Sequence, residues 1–140
     1  MLANGPIVYI DDDEDNQFLF EQAARELALP NKIHFFFSGE EALAYLKTTD
    51  ESPLLILSDL NMPGMSGTEI HEEINASPDL KQKSIPFIFY TMEASPTQIK
   101  ELYKGTVQGL YLKPLEFTDL KRQITMIVDY WQACLHPNTL

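Results

Sequence analysis

The chain has 140 residues, 44% hydrophobic and 22% charged, which suits one hydrophobic core and excludes both global disorder and a second domain. Ten basic against 21 acidic residues give a net charge of −11, without the clustered Lys and Arg that nucleic acid or an anionic membrane requires. Cys134 is the only cysteine, so no internal disulfide forms, and no apolar run approaches the ~20 residues that span a bilayer.

The N-terminal Met1-Leu2-Ala3-Asn4-Gly5-Pro6 lacks the basic and apolar segments of a signal peptide. Ile7-Val8-Tyr9-Ile10 is a short apolar run ending at acids, the first predicted strand. From Asn16 to Leu29, the residues Leu19, Phe20, Ala23 and Leu27 recur at helical spacing until Pro30-Asn31 ends them. Ile33 to Phe37 is a second strand. Ser38 and Glu41, three apart, read as a capping box that opens a helix through Ala42, Leu43, Tyr45 and Leu46. Leu54 to Ser58 is nearly all apolar, as a strand covered on both faces should be. After the turn-rich Asn61-Met62-Pro63-Gly64-Met65, Ser66 and Glu69 form a second capping box.

Ile85 to Tyr90 is the fourth strand. Ser95-Pro96-Thr97-Gln98 combines an N-cap, a proline at the first helical position and a Gln three residues on. Val107 to Leu112 is the fifth strand, and Leu120, Ile124, Ile127, Val128 and Trp131 stripe a final helix, in which Cys134 reads as a small apolar residue. The tail from His136 to Leu140 is expected to fray. The alternation predicts an α/β fold, one domain over 1–140 with its core over about 6–133 and tails at 1–5 and 136–140. Its parallel five-stranded sheet would carry helices on both faces, joined by right-handed crossovers.

In such folds the functional crevice lies outside the carboxyl ends of the strands. There the sequence places Asp11-Asp12-Asp13-Glu14-Asp15 after strand one, Asp59 and Asn61 after strand three, Thr91 after strand four, and Lys113-Pro114 after strand five. Converging carboxylates must take up protons or be neutralised by a cation. An all-oxygen cluster with few ligands suits Mg²⁺, and phosphoryl chemistry there would use Asp59 as nucleophile and Lys113 as cation. Each residue alone has a plainer reading. An acidic run can be a solvated helix start, Asp59 a turn former, Thr91 a strand end and Lys113 surface; only their joint placement favours the site.

Tyr9-Ile10-Asp11-Asp12-Asp13, Asp59-Leu60-Asn61-Met62-Pro63-Gly64-Met65-Ser66-Gly67, Tyr90-Thr91 and Leu112-Lys113-Pro114 together resemble the receiver domain of bacterial response regulators. The resemblance runs from about Ile7 to Trp131 and implies a flavodoxin-like (βα)5 doubly wound sheet. It implies Asp59 as phosphoacceptor, and Asp11, Asp12, Asp59 and the Asn61 carbonyl as ligands of Mg²⁺, for which Mn²⁺ can substitute. It further implies Thr91 as the switch hydroxyl, Lys113 as the residue pairing with acceptor and phosphate, and a cis Lys113–Pro114 peptide. The phosphodonor would be a sensor histidine kinase or histidine phosphotransfer protein, and the chain would catalyse only its own phosphorylation and dephosphorylation.

The implied output is a downstream protein docking on the face of the fourth helix, fifth strand and fifth helix, with no direct contact to nucleic acid or membrane. A cytoplasmic location is expected. One position departs from the family: the aromatic residue common three places before the lysine is Leu110 here, and Tyr111 should point to the opposite face. Switching would then run through Thr91 and the following loop. Asn61 and Glu93 occupy the positions that tune acyl-phosphate lifetime in the family, and this polar pair predicts minutes or less.

Asp11-x-Asp13-x-Asp15 begins like a Ca²⁺ loop but has Asn16 in place of glycine and Gln22 in place of the bidentate Glu. Asp11 and Asp13 could serve a Mg²⁺-dependent phosphatase resembling the haloacid-dehalogenase group, which would leave the Asp59 segment unexplained. A phosphorylation-independent adaptor would not need Asp59, Thr91 and Lys113. Flavin binding is opposed by the acidic first loop. His34, His71 and His136 show no metal spacing.

Overall fold

A computed structural model describes residues 5–136. The described chain runs β1 (Ile7–Ile10), α1 (Glu14–Glu26), β2 (Ile33–Phe36), α2 (Gly39–Thr48), β3 (Leu55–Ser58), α3 (Gly67–Ala76), α4 (Pro78–Lys83), β4 (Phe87–Thr91), α5 (Pro96–Tyr103), β5 (Leu110–Leu112) and α6 (Phe117–Ala133). All strand pairs are parallel, in the order β2-β1-β3-β4-β5. This is the flavodoxin-like order, whose direction reverses between β1 and β3, so the crevice opens beyond those two strand ends.

Strand alternation divides the interior in two. Ile7, Tyr9, Leu55, Leu57, Ile88 and Tyr90 face Phe20 and Ala23 of α1 and Leu120, Ile124, Ile127 and Val128 of α6. Val8, Ile10, Ile56, Phe87 and Phe89 face Ala42, Leu43 and Leu46 of α2, Ile70 of α3 and Leu80 of α4. The central strands β1, β3 and β4 are buried throughout, which is why they read as unbroken apolar runs. Leu110 and Tyr111 fall on opposite faces, as alternation requires: Tyr111 packs with the α1/α6 side and Leu110 with the other.

Several boundaries move for identifiable reasons. α1 starts at Glu14, not Asn16, because the Asp13 carboxylate caps it, accepting from Asp15 N at 2.8 Å and Asn16 N at 3.3 Å. It ends before Leu29, where Ala28 turns left-handed at φ 53°. β4 begins at Phe87 since Pro86 has no N–H to donate. β5 is shorter than predicted, and Gln108 instead uses its side-chain oxygen to accept from Phe87 N at 2.7 Å.

A helix absent from the sequence reading, α4, follows Ser77, whose hydroxyl accepts from Leu80 N, with Pro78 opening its first turn. The fourth predicted helix is therefore α5 and the fifth is α6. Full capping boxes form at Ser66/Glu69 and Ser95/Gln98. At Ser38 the hydroxyl accepts from Glu41 N but donates to the Glu41 carboxylate, so that box is half formed.

Three expectations are corrected. The Lys113–Pro114 peptide is trans, there being no cis bond among the described residues; an X–Pro amide separates the isomers by only about 0.5–1 kcal/mol, so sequence does not select between them. His136 does not fray: it is buried, its Nε2 lies 2.8 Å from the Trp131 carbonyl oxygen, and only 137–140 of the predicted tail lies outside the described residues, as does 1–4. Cys134 caps α6 instead of lying within it. Among the described residues no helix is long and apolar enough to cross a membrane.

Candidate functional site

The sheet ladder itself delivers the chemical side chains to one rim. Asp11 N donates to Phe36 O at 3.0 Å, Asp59 N to Ile10 O at 2.9 Å, and Lys113 N to Thr91 O at 2.7 Å. Four strand ends are thereby stitched to their neighbours at the residues that matter. Asp11, Asp59, Thr91 and Lys113 are all buried, whereas Asp12 is exposed.

Lys113 Nζ lies between two carboxylates, in close contact with Asp11 Oδ2 and 3.4 Å from Asp59 Oδ2. One carboxylate oxygen each from Asp11, Asp12 and Asp59 falls within 4.8 Å of the others. Burial pushes the Asp11 carboxyl above the usual carboxylate range, and the Asp59 charge adds to that. The Lys113 ammonium and the Asp13 N–H, 2.9 Å from Asp11 Oδ1, pull the other way. Three acids against one lysine leave a surplus of negative charge. The donor set is all oxygen and partly open to solvent, which fits Mg²⁺ or Mn²⁺ keeping several waters.

Asp59 is fixed from its own backbone: Oδ1 accepts from Leu60 N at 2.7 Å and Asn61 N at 3.4 Å. The start of α3 crowds its main chain, since a Cβ on Gly67 would meet Asp59 O at 2.2 Å. The Thr91 hydroxyl donates to the Glu93 carbonyl at 3.2 Å. The same carbonyl accepts from Asn61 Nδ2 at 3.1 Å, and Asn61 Oδ1 accepts from Gln98 Nε2 at 2.9 Å. Asn61 and the Glu93 carbonyl are thereby joined in one loop, tied to the first turn of α5.

Sequence reasoning missed three contributors. Gln17, buried on α1, donates through Nε2 to the carbonyls of Asp11 (3.0 Å) and Phe36 (3.1 Å), bracing the first loop. Gln98 completes a capping box while holding Asn61, and its capping role was the visible signal. Tyr9 donates to Asp11 Oδ2 at 3.3 Å. The Tyr9 signal was a hydroxyl two residues before an acid on the same strand face.

The Ca²⁺-loop reading loses its geometry. Residues 14–26 are helical, so no Ca²⁺ loop starts at Asp11. Asp13 Oδ1 caps α1, accepting from Asp15 N and Asn16 N.

Residues 7–125 match the family signature described as the response regulator receiver domain. The chain is 30% identical over 126 residues to chemotaxis protein CheY-3 of Vibrio cholerae, covering 90% of this chain and 93% of that one. It is 30% identical over 129 residues to the probable methanogenesis regulatory protein FilR2 of Methanothrix harundinacea, covering 89% and 82% respectively. Among solved structures, the phosphorylated cyanobacterial phytochrome response regulator RcpA superposes with a TM-score of 0.84 at 26% identity, covering 96% of this chain and 99% of that one. The Mn²⁺-bound form of response regulator Rcp1 shares the fold, with a TM-score of 0.78 at 24% identity over 95% of this chain and 99% of that one.

Proposed function

The chain belongs to the response regulator receiver family, and from that premise we propose that it is a phosphoacceptor switch whose Asp59 takes a phosphoryl group from a histidine kinase or histidine phosphotransfer protein. The observation that carries this reading is Lys113, held between the buried carboxylates of Asp11 and Asp59 with Asp12 in reach of both.

An Asp59 carboxylate oxygen attacks the phosphorus of a phosphohistidine, the P–N bond breaks, and the imidazole nitrogen keeps the electron pair. Bonds from Leu60 N and Asn61 N hold the nucleophile in place, so little orientation is lost at the moment of attack. Lys113 lies close enough to follow the developing phosphoryl charge by a short movement of its ammonium. Asp11, Asp12, Asp59 and the Asn61 carbonyl would hold Mg²⁺, which when bound supplies positive charge to the phosphoryl oxygens.

Once phosphorylated, the site offers a new acceptor to Thr91. Turning its hydroxyl inward gives up the bond to Glu93 O, which Asn61 shares, and loosens the loop leading into α5. The population then shifts between two loop arrangements. Output through α5, β5 and α6 is supported by exposed Tyr103, Leu112, Met126 and Tyr130 on those elements. With Leu110 rather than an aromatic three residues before Lys113, the threonine and its loop carry the switch.

Incubation with acetyl phosphate and Mg²⁺, followed by intact-mass analysis, tests the proposal. A gain of one phosphoryl group that disappears in Asp59→Asn and in EDTA is expected. No adduct, together with failure to bind the beryllofluoride mimic, would leave a phosphorylation-independent adaptor as the function.

A further inference from the structure

β1 is aliphatic except for Tyr9, and a fourth aliphatic residue would fill the same core. Tyr9 is 2% exposed, its ring held by Phe20 at 4.3 Å, Phe35 at 5.7 Å and Tyr90 at 6.5 Å between centroids. That packing fixes where its hydroxyl sits, and the hydroxyl donates to Asp11 Oδ2 at 3.3 Å. Asp11 is the most enclosed of the three acids, at 1% exposure. Its Oδ1 accepts from Asp13 N at 2.9 Å, and its Oδ2 is shared by Tyr9 and Lys113.

The two donors on Oδ2 differ in kind. Lys113 has a flexible stem and also reaches Asp59, so it is the one able to leave. The tyrosine hydroxyl sits on a packed ring and stays. A buried carboxylate whose ammonium departs needs a remaining donor, or its desolvation is uncompensated.

We infer that Tyr9 is a positioning residue for the metal-binding carboxylate of Asp11, holding its orientation when Lys113 turns toward the phosphoryl group. The inference rests on the reading of Asp11, Asp12 and Asp59 as Mg²⁺ ligands beside a phosphoacceptor. Donors behind a metal ligand typically change metal affinity by about 10–100-fold when removed. The aromatic cluster of Tyr9, Phe20, Phe35 and Tyr90 thereby joins the α1/α6 core to the ion site.

Thermal unfolding of the full chain across a Mg²⁺ titration separates this role from simple core packing. Tyr9→Phe should need ~10-fold more Mg²⁺ than wild type for the same rise in Tm above its own metal-free value. Tyr90→Phe deletes a hydroxyl from the same cluster, one bonded to Gln123 at 2.8 Å, and should keep the wild-type Mg²⁺ requirement whatever happens to its metal-free Tm. A Tyr9→Phe Mg²⁺ requirement equal to wild type, or an equal change in Tyr90→Phe, would overturn the inference while leaving the metal site standing. A wild-type protein with no Mg²⁺-dependent rise would instead remove the metal reading, and the inference with it. Mn²⁺ binding read by electron paramagnetic resonance at low temperature gives the same comparison without unfolding the variants.

Discussion

Gly67 is the first residue of α3, and its N–H donates to Leu60 O at 3.0 Å. An alanine there would place its Cβ 2.2 Å from Asp59 O and 3.1 Å from both Asp59 C and Leu60 Cα. All three are main-chain atoms, so no side chain can rotate away. Restoring van der Waals distance moves one backbone against the other by roughly 1 Å. Overpacking of this kind costs about 1–3 kcal/mol, and a displacement of that size at a reacting group costs about 10²-fold in rate.

Gly67→Ala should therefore lower stability in urea and slow phosphorylation by acetyl phosphate together. Gly105→Ala is the matched control, because its Cβ would meet only Leu102 O, at an ordinary 3.7 Å. Stability within about 0.5 kcal/mol of wild type and an unchanged phosphorylation rate in Gly67→Ala would refute the idea that α3 fixes the acceptor by close approach.

Three further outcomes follow from single residues. Ala28 sits at φ 53°, a conformation that penalises an L side chain, so Ala28→Gly should raise stability by about 0.5–1 kcal/mol in urea unfolding. Burial depresses His71 below its usual value, opposed by the Glu72 charge, with its ring 4.9 Å from Phe87. The unfolded chain thus binds the proton more readily, so the His71 contribution is complete above pH ~6.5 and lost as pH falls through the lower folded value; unfolding curves should show this acid slope, and His71→Phe should reduce it. Leu110→Tyr should leave the acetyl phosphate reaction rate unchanged while altering affinity for a downstream partner in a binding assay, and equal affinity would count against a switch that runs without an aromatic residue.

Much of this architecture was legible because strand ends carry chemistry and strand interiors carry apolar runs. Asp11, Asp59, Thr91 and Lys113 could each be placed at a rim from the chain alone, since a parallel sheet aligns every strand's carboxyl end. What stayed hidden depends on contacts distant in sequence. Gln17 braces Phe36, and Gln98 reaches Asn61, neither of which periodicity reports. α4 was readable in principle from Ser77-Pro78, but its 6 residues fall below a helical period count. The shortness of β5 was hidden for the same reason, because Phe87 N donates to the side chain of Gln108, 21 residues away in sequence, instead of to a strand carbonyl.

The most direct measurement is to locate the phosphoryl group itself. Protein treated with acetyl phosphate and Mg²⁺ is reduced with borohydride, which converts an acyl phosphate to a primary alcohol, and its peptides are analysed by mass. Conversion at Asp59 alone is predicted. Conversion at Asp11, Asp12 or Asp13, or at no residue, would contradict the assignment of Asp59 as the phosphoacceptor.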